Sequence, residues 1–333
     1  MRRQPDQLKR RAFITLLGGA AAWPLAVSAQ QPAMPVIGFL NGASPQGNTT
    51  NVAAFQQSLK ETDYVEGRNL TIEYRWAEGQ YDRLPALAAD LVRRQVTVMT
   101  AIGTPAALAA KAATATIPIA FTTADDPMKV GLVASLNRPG GNITGVTTLN
   151  VELAPKLLEL LHEMVPNATV IGLLVNPDNS AQAESTTREV QIAARKFGID
   201  LHILNAGHDR EFDAAFASLA RLHAGALVIA PDLMFASRSE QLGALAFRHV
   251  VPAIYPWREA AVAGGLMSYG SNVANLYRQV GMYTSRILKG EKPADLPVQQ
   301  AVKLDLVINL KTAKALGLEV PMSMLMRVDE VIE

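Results

Sequence analysis

Asp125 and Asp126 stand side by side after an apolar run that reads as a strand. Two carboxylates at the carboxyl end of a strand could share acid–base work, because α/β folds form their ligand sites at that edge. Adjacent side chains need not point the same way, however, and one of the pair is equally suited to capping the next helix. No nucleophile or metal set accompanies them. The five histidines, at 162, 202, 208, 223 and 249, share no metal-ligand spacing. Phosphate-loop, Gly-x-Gly-x-x-Gly, His-Glu-x-x-His and Gly-x-Ser-x-Gly patterns are missing. With no cysteine in the chain, a thiolate metal site, a disulfide and a Cys nucleophile are excluded. Neither a metal nor a cofactor is expected.

What remains has binding character. Asn41-Gly42-Ala43-Ser44, Gly103-Thr104-Pro105, Thr122 through Asp126, Asn176-Pro177, Pro231-Asp232, Tyr255-Pro256-Trp257 and Ser268-Tyr269-Gly270 each follow an apolar run. Taken singly these are ordinary turn and N-cap residues; the set is more telling than any member. Thr104 opens a helix whose free backbone N–H groups suit a carboxylate or other anion. Tyr255, Trp257 and Tyr269 add flat apolar surface with polar tips.

Apolar spacing supplies the elements that must carry these loops. Strands are expected at 36–40, 70–76, 96–102, 117–121 and 143–147, with helices at 52–63, 84–94 and 104–115 between the first four. The pattern then restarts, with helices at 153–164, 181–197, 209–222, 235–249 and 276–288 and strands at 169–175, 200–204, 226–230, 252–255, 265–269 and 304–308. A short helix follows at 312–316. Such alternation predicts parallel sheets with helices on both faces. At about 150 residues per domain, 333 residues suggest two such α/β domains.

Charge is distributed unevenly. The chain has 31 basic and 30 acidic side chains, net +1, but residues 1–29 alone carry +4, leaving −3 for the remainder. A strongly basic surface for nucleic acid is therefore not expected. Lys9-Arg10-Arg11, the apolar stretch 12–22 and Ala26-Val27-Ser28-Ala29 make a charged region, an apolar core and a small-residue cleavage site. Arg10-Arg11-Ala12-Phe13-Ile14 is similar to a twin-arginine signal, with Lys9 where a Ser or Thr is usual. The competing reading, an uncleaved anchor, is weakened by Gly18, Gly19 and Pro24 and by a run short of about 20 residues. Export with cleavage after Ala29 is expected, leaving a protein outside the cytoplasm, in the periplasm.

Over roughly residues 35–318 the chain resembles the solute-binding proteins of ABC transporters of the tryptophan/tyrosine-binding type. The segments that carry the resemblance are Val36-Ile37-Gly38-Phe39, Gly67-Arg68-Asn69-Leu70-Thr71-Ile72-Glu73-Tyr74-Arg75, Ala101-Ile102-Gly103-Thr104-Pro105-Ala106-Ala107, Ile117-Pro118-Ile119-Ala120-Phe121, Asp126-Pro127, Pro139-Gly140-Gly141-Asn142-Ile143-Thr144-Gly145-Val146, Val175-Asn176-Pro177, Ile287-Leu288-Lys289-Gly290 and Leu306-Val307-Ile308-Asn309-Leu310-Lys311-Thr312-Ala313. The resemblance implies the type I periplasmic-binding fold: two doubly wound, Rossmann-like lobes joined by a three-crossing hinge, with a ligand cleft between them. It implies lobe 1 at 35–149 plus 271–297, lobe 2 at 150–270 plus 298–333, and crossings near 148–151, 270–273 and 296–302.

It further implies a monomer that captures a small amino acid, aromatic or carboxylated solute by lobe closure, without catalysis, and delivers it to an ABC permease in the inner membrane. Carried over by position, Asn41, Thr104, Thr122 and Asp126 line one lobe, with Asp126 facing a ligand amine; Asp232, Tyr255 and Tyr269 line the other. Asn176 and Trp257 complete the expected ligand set. Tyr255-Pro256-Trp257 departs from relatives that hold smaller or acidic residues there. Alternatives are a sensor that presents its ligand to a receptor, a secreted α/β enzyme using Asp125 or Asp126, and a structural module.

Overall fold

Short runs rich in Val, Ile, Leu and Phe become strands buried on both faces, the signature of parallel strands covered by helices. The computed structural model describes residues 34–148, 153–300 and 304–333. The expected leader at 1–29 lies outside the described residues, as do 149–151 and 301–302 of two expected crossings. All elements named here belong to the unit Pro35–Glu333.

The first sheet is built from β1 (Val36–Asn41), β2 (Thr71–Trp76), β3 (Val98–Ile102), β4 (Ile119–Thr123), β5 (Ile143–Thr147) and the short β11 (Gln299–Gln300). Its order is β11-β5-β4-β3-β1-β2, and every pairing is parallel. Helices α1 (Thr49–Lys60), α2 (Leu84–Arg93) and α3 (Thr104–Ala113) connect its first four strands.

The second sheet holds β6 (Val170–Val175), β7 (Asp200–Asn205), β8 (Ala226–Ile229), β9 (Ala253–Tyr255), β10 (Met267–Gly270), β12 (Asp305–Asn309) and β13 (Glu330–Ile332), in the order β13-β12-β10-β9-β8-β6-β7. Its helices are α4 (Ala154–Met164), α5 (Ser180–Phe197), α6 (Phe212–Arg221), α7 (Leu233–Ser237), α8 (Ser239–Arg248) and α9 (Arg258–Val262). The next helix, α10 (Val273–Leu288), follows β10 but packs on the first sheet, and α11 (Leu310–Ala315) and α12 (Met322–Leu325) return to the second.

Three expectations need correction. The second sheet is not wholly parallel: β12 runs antiparallel to β10, because the chain leaves β10 for the first sheet and re-enters from the other direction. The helix expected at 235–249 is two helices, broken at Arg238 (φ −114°, ψ 21°), and the first starts early because Asp232 caps it. Gln299 and Gln300 pair with β5, so they sit on the first sheet, beyond the expected boundary at 297.

The core of the first sheet gathers Phe39 against Phe55, Tyr74, Trp76 and Tyr277, with ring centroids 5.2–6.3 Å apart. Tyr277 belongs to α10, which lies along α1 so closely that a Cβ on Gly281 would sit 2.0 Å from Ser58 Oγ. In each sheet the strand order reverses next to the first strand laid down, between β1 and β3 and between β6 and β8. Ligand crevices form at the carboxyl ends of strands beside such reversals. Among the described residues, no helix is long and apolar enough to cross a membrane.

Candidate ligand site between the two strand-order reversals

The carboxyl ends of β3 and β4 form one wall. Beyond β3, Gly103 holds φ 89° and ψ 155°, a region essentially reserved for glycine, and turns the chain into α3. A Cβ there would lie only 2.3 Å from Leu233 Cδ1 of the other lobe, so the two lobes meet at this residue. Thr104 follows, with its hydroxyl 2.5 Å from Asp125 Oδ2 and 2.6 Å from Thr123 Oγ1. Thr123 Oγ1 accepts from the Asp125 amide, and Thr122 Oγ1 accepts from Gly103 N. Burial pushes the Asp125 carboxyl above its ordinary value, against the Thr104 hydrogen bond, and the charge of Asp232 pushes the same way.

The carboxyl ends of β6 and β8 form the facing wall, centred on Asp232. Its Oδ1 accepts from Met234 N at 2.9 Å, the N-cap bond of α7, and from Asn176 Nδ2 at 3.1 Å. Its Oδ2 accepts from Asn179 Nδ2 at 3.0 Å. Tyr81, in a single 3-10 turn after β2, reaches across from the first lobe and sets its hydroxyl 3.0 and 3.1 Å from the two oxygens. Burial raises the Asp232 carboxyl pKa, opposed first by Asn176, then by Asn179, Met234 N and Tyr81. Burial, and then the charge of Asp232, raise the Tyr81 phenol well above its ordinary range, so it stays a donor.

Between the walls lies a cavity of about 70 Å³. Its apolar lining includes Pro105, Leu233, Pro256, Trp257, Val273 and Leu276. The Trp257 indole N–H is committed to Ser239 Oγ at 2.6 Å. Two polar atoms of the lining are buried without a partner, Gln182 Nε2 and Ser271 Oγ. Among the described residues of the lining none is basic. On its outer side Tyr81 borders an open groove of about 920 Å³ that Gln80, Asp178 and Arg210 also line.

Of the nine residues expected from sequence, Thr104, Thr122, Asp232 and Trp257 reach the cavity, and Asn176 stands behind it on Asp232. The other four are not in the wall. Asn41 is spent on the Tyr277 hydroxyl and Ala43 N. Asp126 Oδ1 caps Met128 N at 2.9 Å, while its neighbour Asp125 turns inward. Tyr255 is wholly buried in the second sheet's core, and Tyr269 packs on the opposite core of that sheet. Sequence reasoning missed Tyr81, Asn179, Gln182 and Ser271. The last three each lie within a few residues of a recognised strand end, one helical turn or one bend further on.

The family model described as ABC transporter substrate binding protein matches residues 36–332. A tyrosine-binding protein of Clostridioides difficile (strain R20291) is 27% identical over 266 residues, 80% of this chain and 76% of that protein. Among solved structures, an ABC domain in complex with L-Trp from Streptococcus pneumonia has TM-score 0.79 at 27% identity, covering 90% of this chain and 99% of that one. A ligand-free, open substrate-binding protein with adhesive properties from Clostridium difficile has TM-score 0.60 at 25% identity, over the same 90% and 99%. At equal coverage the lobes superpose better on the complex than on the open form.

Proposed function

Because the chain belongs to the ABC transporter substrate-binding protein family, we propose that it is the periplasmic solute-binding component of an importer, and that its solute is an amino acid with an aromatic side chain. The observation that carries this reading is the cavity with walls from both lobes, apolar around Trp257 and Pro256, with the Asp232 carboxyl in its lining and the Asp125 carboxyl directly behind Thr104. An uncharged apolar body matches the chemistry of the first part, and an ammonium at Thr104, with the Asp125 carboxyl behind it, matches the second. The solutes named for the two relatives above, tyrosine and tryptophan, have this build.

Function then follows from population shift. A solute that touches both lobes only when they are together stabilises the closed form by its differential affinity for that form. It is released unchanged, so the chain performs no chemistry and is not an enzyme. In this reading residues 1–29 direct export and are removed after Ala29. One lobe, 35–149 with 271–300, and the other, 150–270 with 304–333, open and close about the crossings, and the closed monomer docks on an inner-membrane permease.

The test is a thermal-shift screen of the purified protein against the common amino acids and aromatic acids. Ligand at a hundredfold excess over its dissociation constant stabilises a native state by about 2.7 kcal/mol. A rise for L-tyrosine or L-tryptophan, with the solute recovered intact by mass spectrometry, supports the proposal. A flat response from folded, ligand-free protein, or recovery of an altered solute, would overturn it.

A further inference from the structure

The hydrogen-bond chain that ends at Gln182 has a direction, and that direction restricts what the cavity accepts. Asp232 is its root. Met234 N, a backbone N–H, can only donate, and it donates to Oδ1. Asn176 Oδ1 accepts from Asp178 N at 3.0 Å, so its Nδ2 is the end turned to Asp232. The Tyr81 hydroxyl is within hydrogen-bond reach of both oxygens. Ringed by donors, Asp232 acts as an acceptor, and Asn179 must present Nδ2 to it. The second hydrogen of that nitrogen goes to Gln182 Oε1, at 2.5 Å. Gln182 is thereby left with Nε2 as its free end. This residue is 4% exposed, lines the cavity from the first turn of the 18-residue α5, and its Nε2 has no partner. A buried donor in that state is unfavourable until an acceptor arrives. Ser271 Oγ, on a residue 5% exposed, is a second unpartnered polar group of the same lining.

We infer that Gln182 Nε2 donates to a carboxylate oxygen of the bound solute, and that Asp232, acting through Asn179, is the positioning residue that keeps this end of the amide toward the cavity. The charge of Asp232 is already met by four donor groups, and the first turn of a helix adds backbone N–H groups that favour an anion. The inference rests on the amino-acid reading above and extends it: the ammonium sits on the Asp125 wall, the carboxylate on the α5 wall, and the apolar body lies against Trp257. A zwitterion so placed spans both lobes.

The experiment is calorimetric titration of the purified protein with L-tryptophan and L-tyrosine, with melts by circular dichroism to verify that each variant is folded. Gln182→Met keeps length and removes the donor; affinity is expected to fall about tenfold or more. Gln182→Glu sets a carboxylate against the solute's own, and is expected to bind worse than Gln182→Met, with the deficit shrinking as pH is lowered. A packing role alone would rank Glu no worse than Met, and that result overturns the inference. In an Asp232→Asn background the amide chain is free to reverse, so Gln182→Met should cost less than in the parent protein; additive effects would remove Asp232 from its positioning role. If the parent binds neither amino acid, the functional reading fails and the inference with it. If the parent binds and Gln182→Met binds as tightly, the inference alone falls.

Discussion

Tyr81 stands in one lobe, while the carboxylate its hydroxyl meets stands in the other. That bond exists only when the lobes are together, so its free energy counts toward closure and not toward the folding of either lobe. Hydrogen bonds to charged groups are worth about 1.5–3 kcal/mol. Tyr81→Phe should therefore weaken solute binding by roughly tenfold to a hundredfold, with little change in the melting of the ligand-free protein; calorimetry that finds parental affinity would remove the bond from the closing energy. Asp125 carries a second prediction. Its folded-state pKa is raised above the ordinary 3.8, chiefly by burial, as is that of Asp232. Folding thus favours protonation at both sites, so their contribution to stability is fully present below 3.8 and is lost as pH rises through the raised values. Binding of an ammonium runs the other way, since it requires Asp125 ionised. Affinity should fall as pH drops, beginning above the ordinary carboxylate range, and Asp125→Asn should weaken neutral-pH binding and flatten the profile. An unchanged profile would separate Asp125 from the ligand's amine.

At the scale of elements, α10 is the piece that ties the two sheets into one chain path. It leaves β10 of the second sheet and lies on α1 of the first, where Gly281 faces Ser58 Oγ and, at 3.0 Å, Phe55 O. Gly281→Ala should cost about 1–3 kcal/mol of stability by forcing the helices apart. Ser58→Ala in the same chain should recover part of the loss, because the carbonyl of Phe55 remains in the way. Urea unfolding checks both, and a silent Gly281→Ala would show the contact to be yielding. Apolar spacing gave 276–288 only as a helix; its place with the first lobe was implied by the resemblance, and its contact with Ser58 was visible in neither. Both sheets were legible, since a parallel strand covered on two faces is written as a continuous apolar run. Pairing direction was not: nothing local in Asp305–Asn309 says that it runs against β10. In the site, Thr104, Thr122, Asp232 and Trp257 were legible as residues that end apolar runs. Asp125 and Asp126 were confounded because neighbours alternate in direction. Gln182 was hidden because a polar residue in a helix reads as part of a solvated face. Tyr81 was hidden because its partner lies 151 residues away.

For the whole molecule, the proposed function makes these contacts one end of a two-state equilibrium. Gly103 meets Leu233, and Tyr81 meets Asp232, with the lobes together. Separating the lobes breaks both and opens the Trp257 cavity to water. A ligand shifts the balance only by binding the closed state better, and a swing from 1:99 to 99:1 needs about a 10⁴-fold preference. The chain has no cysteine, so a pair introduced for dye labelling would be the only thiols present. Gln80 and Arg210 are exposed and line the outer groove beside Tyr81, one from each lobe. In Gln80→Cys/Arg210→Cys protein, energy transfer between dyes should show a low-efficiency population without solute, replaced by a high-efficiency one as L-tyrosine or L-tryptophan is added. Adding Tyr81→Phe should raise the solute concentration at the midpoint of that exchange while leaving the two efficiencies where they were. That pattern belongs to a shifted equilibrium between fixed states. A continuous drift of a single efficiency with solute concentration would contradict it, because packed lobes meeting through Gly103 and Leu233 have no series of intermediate fits to occupy.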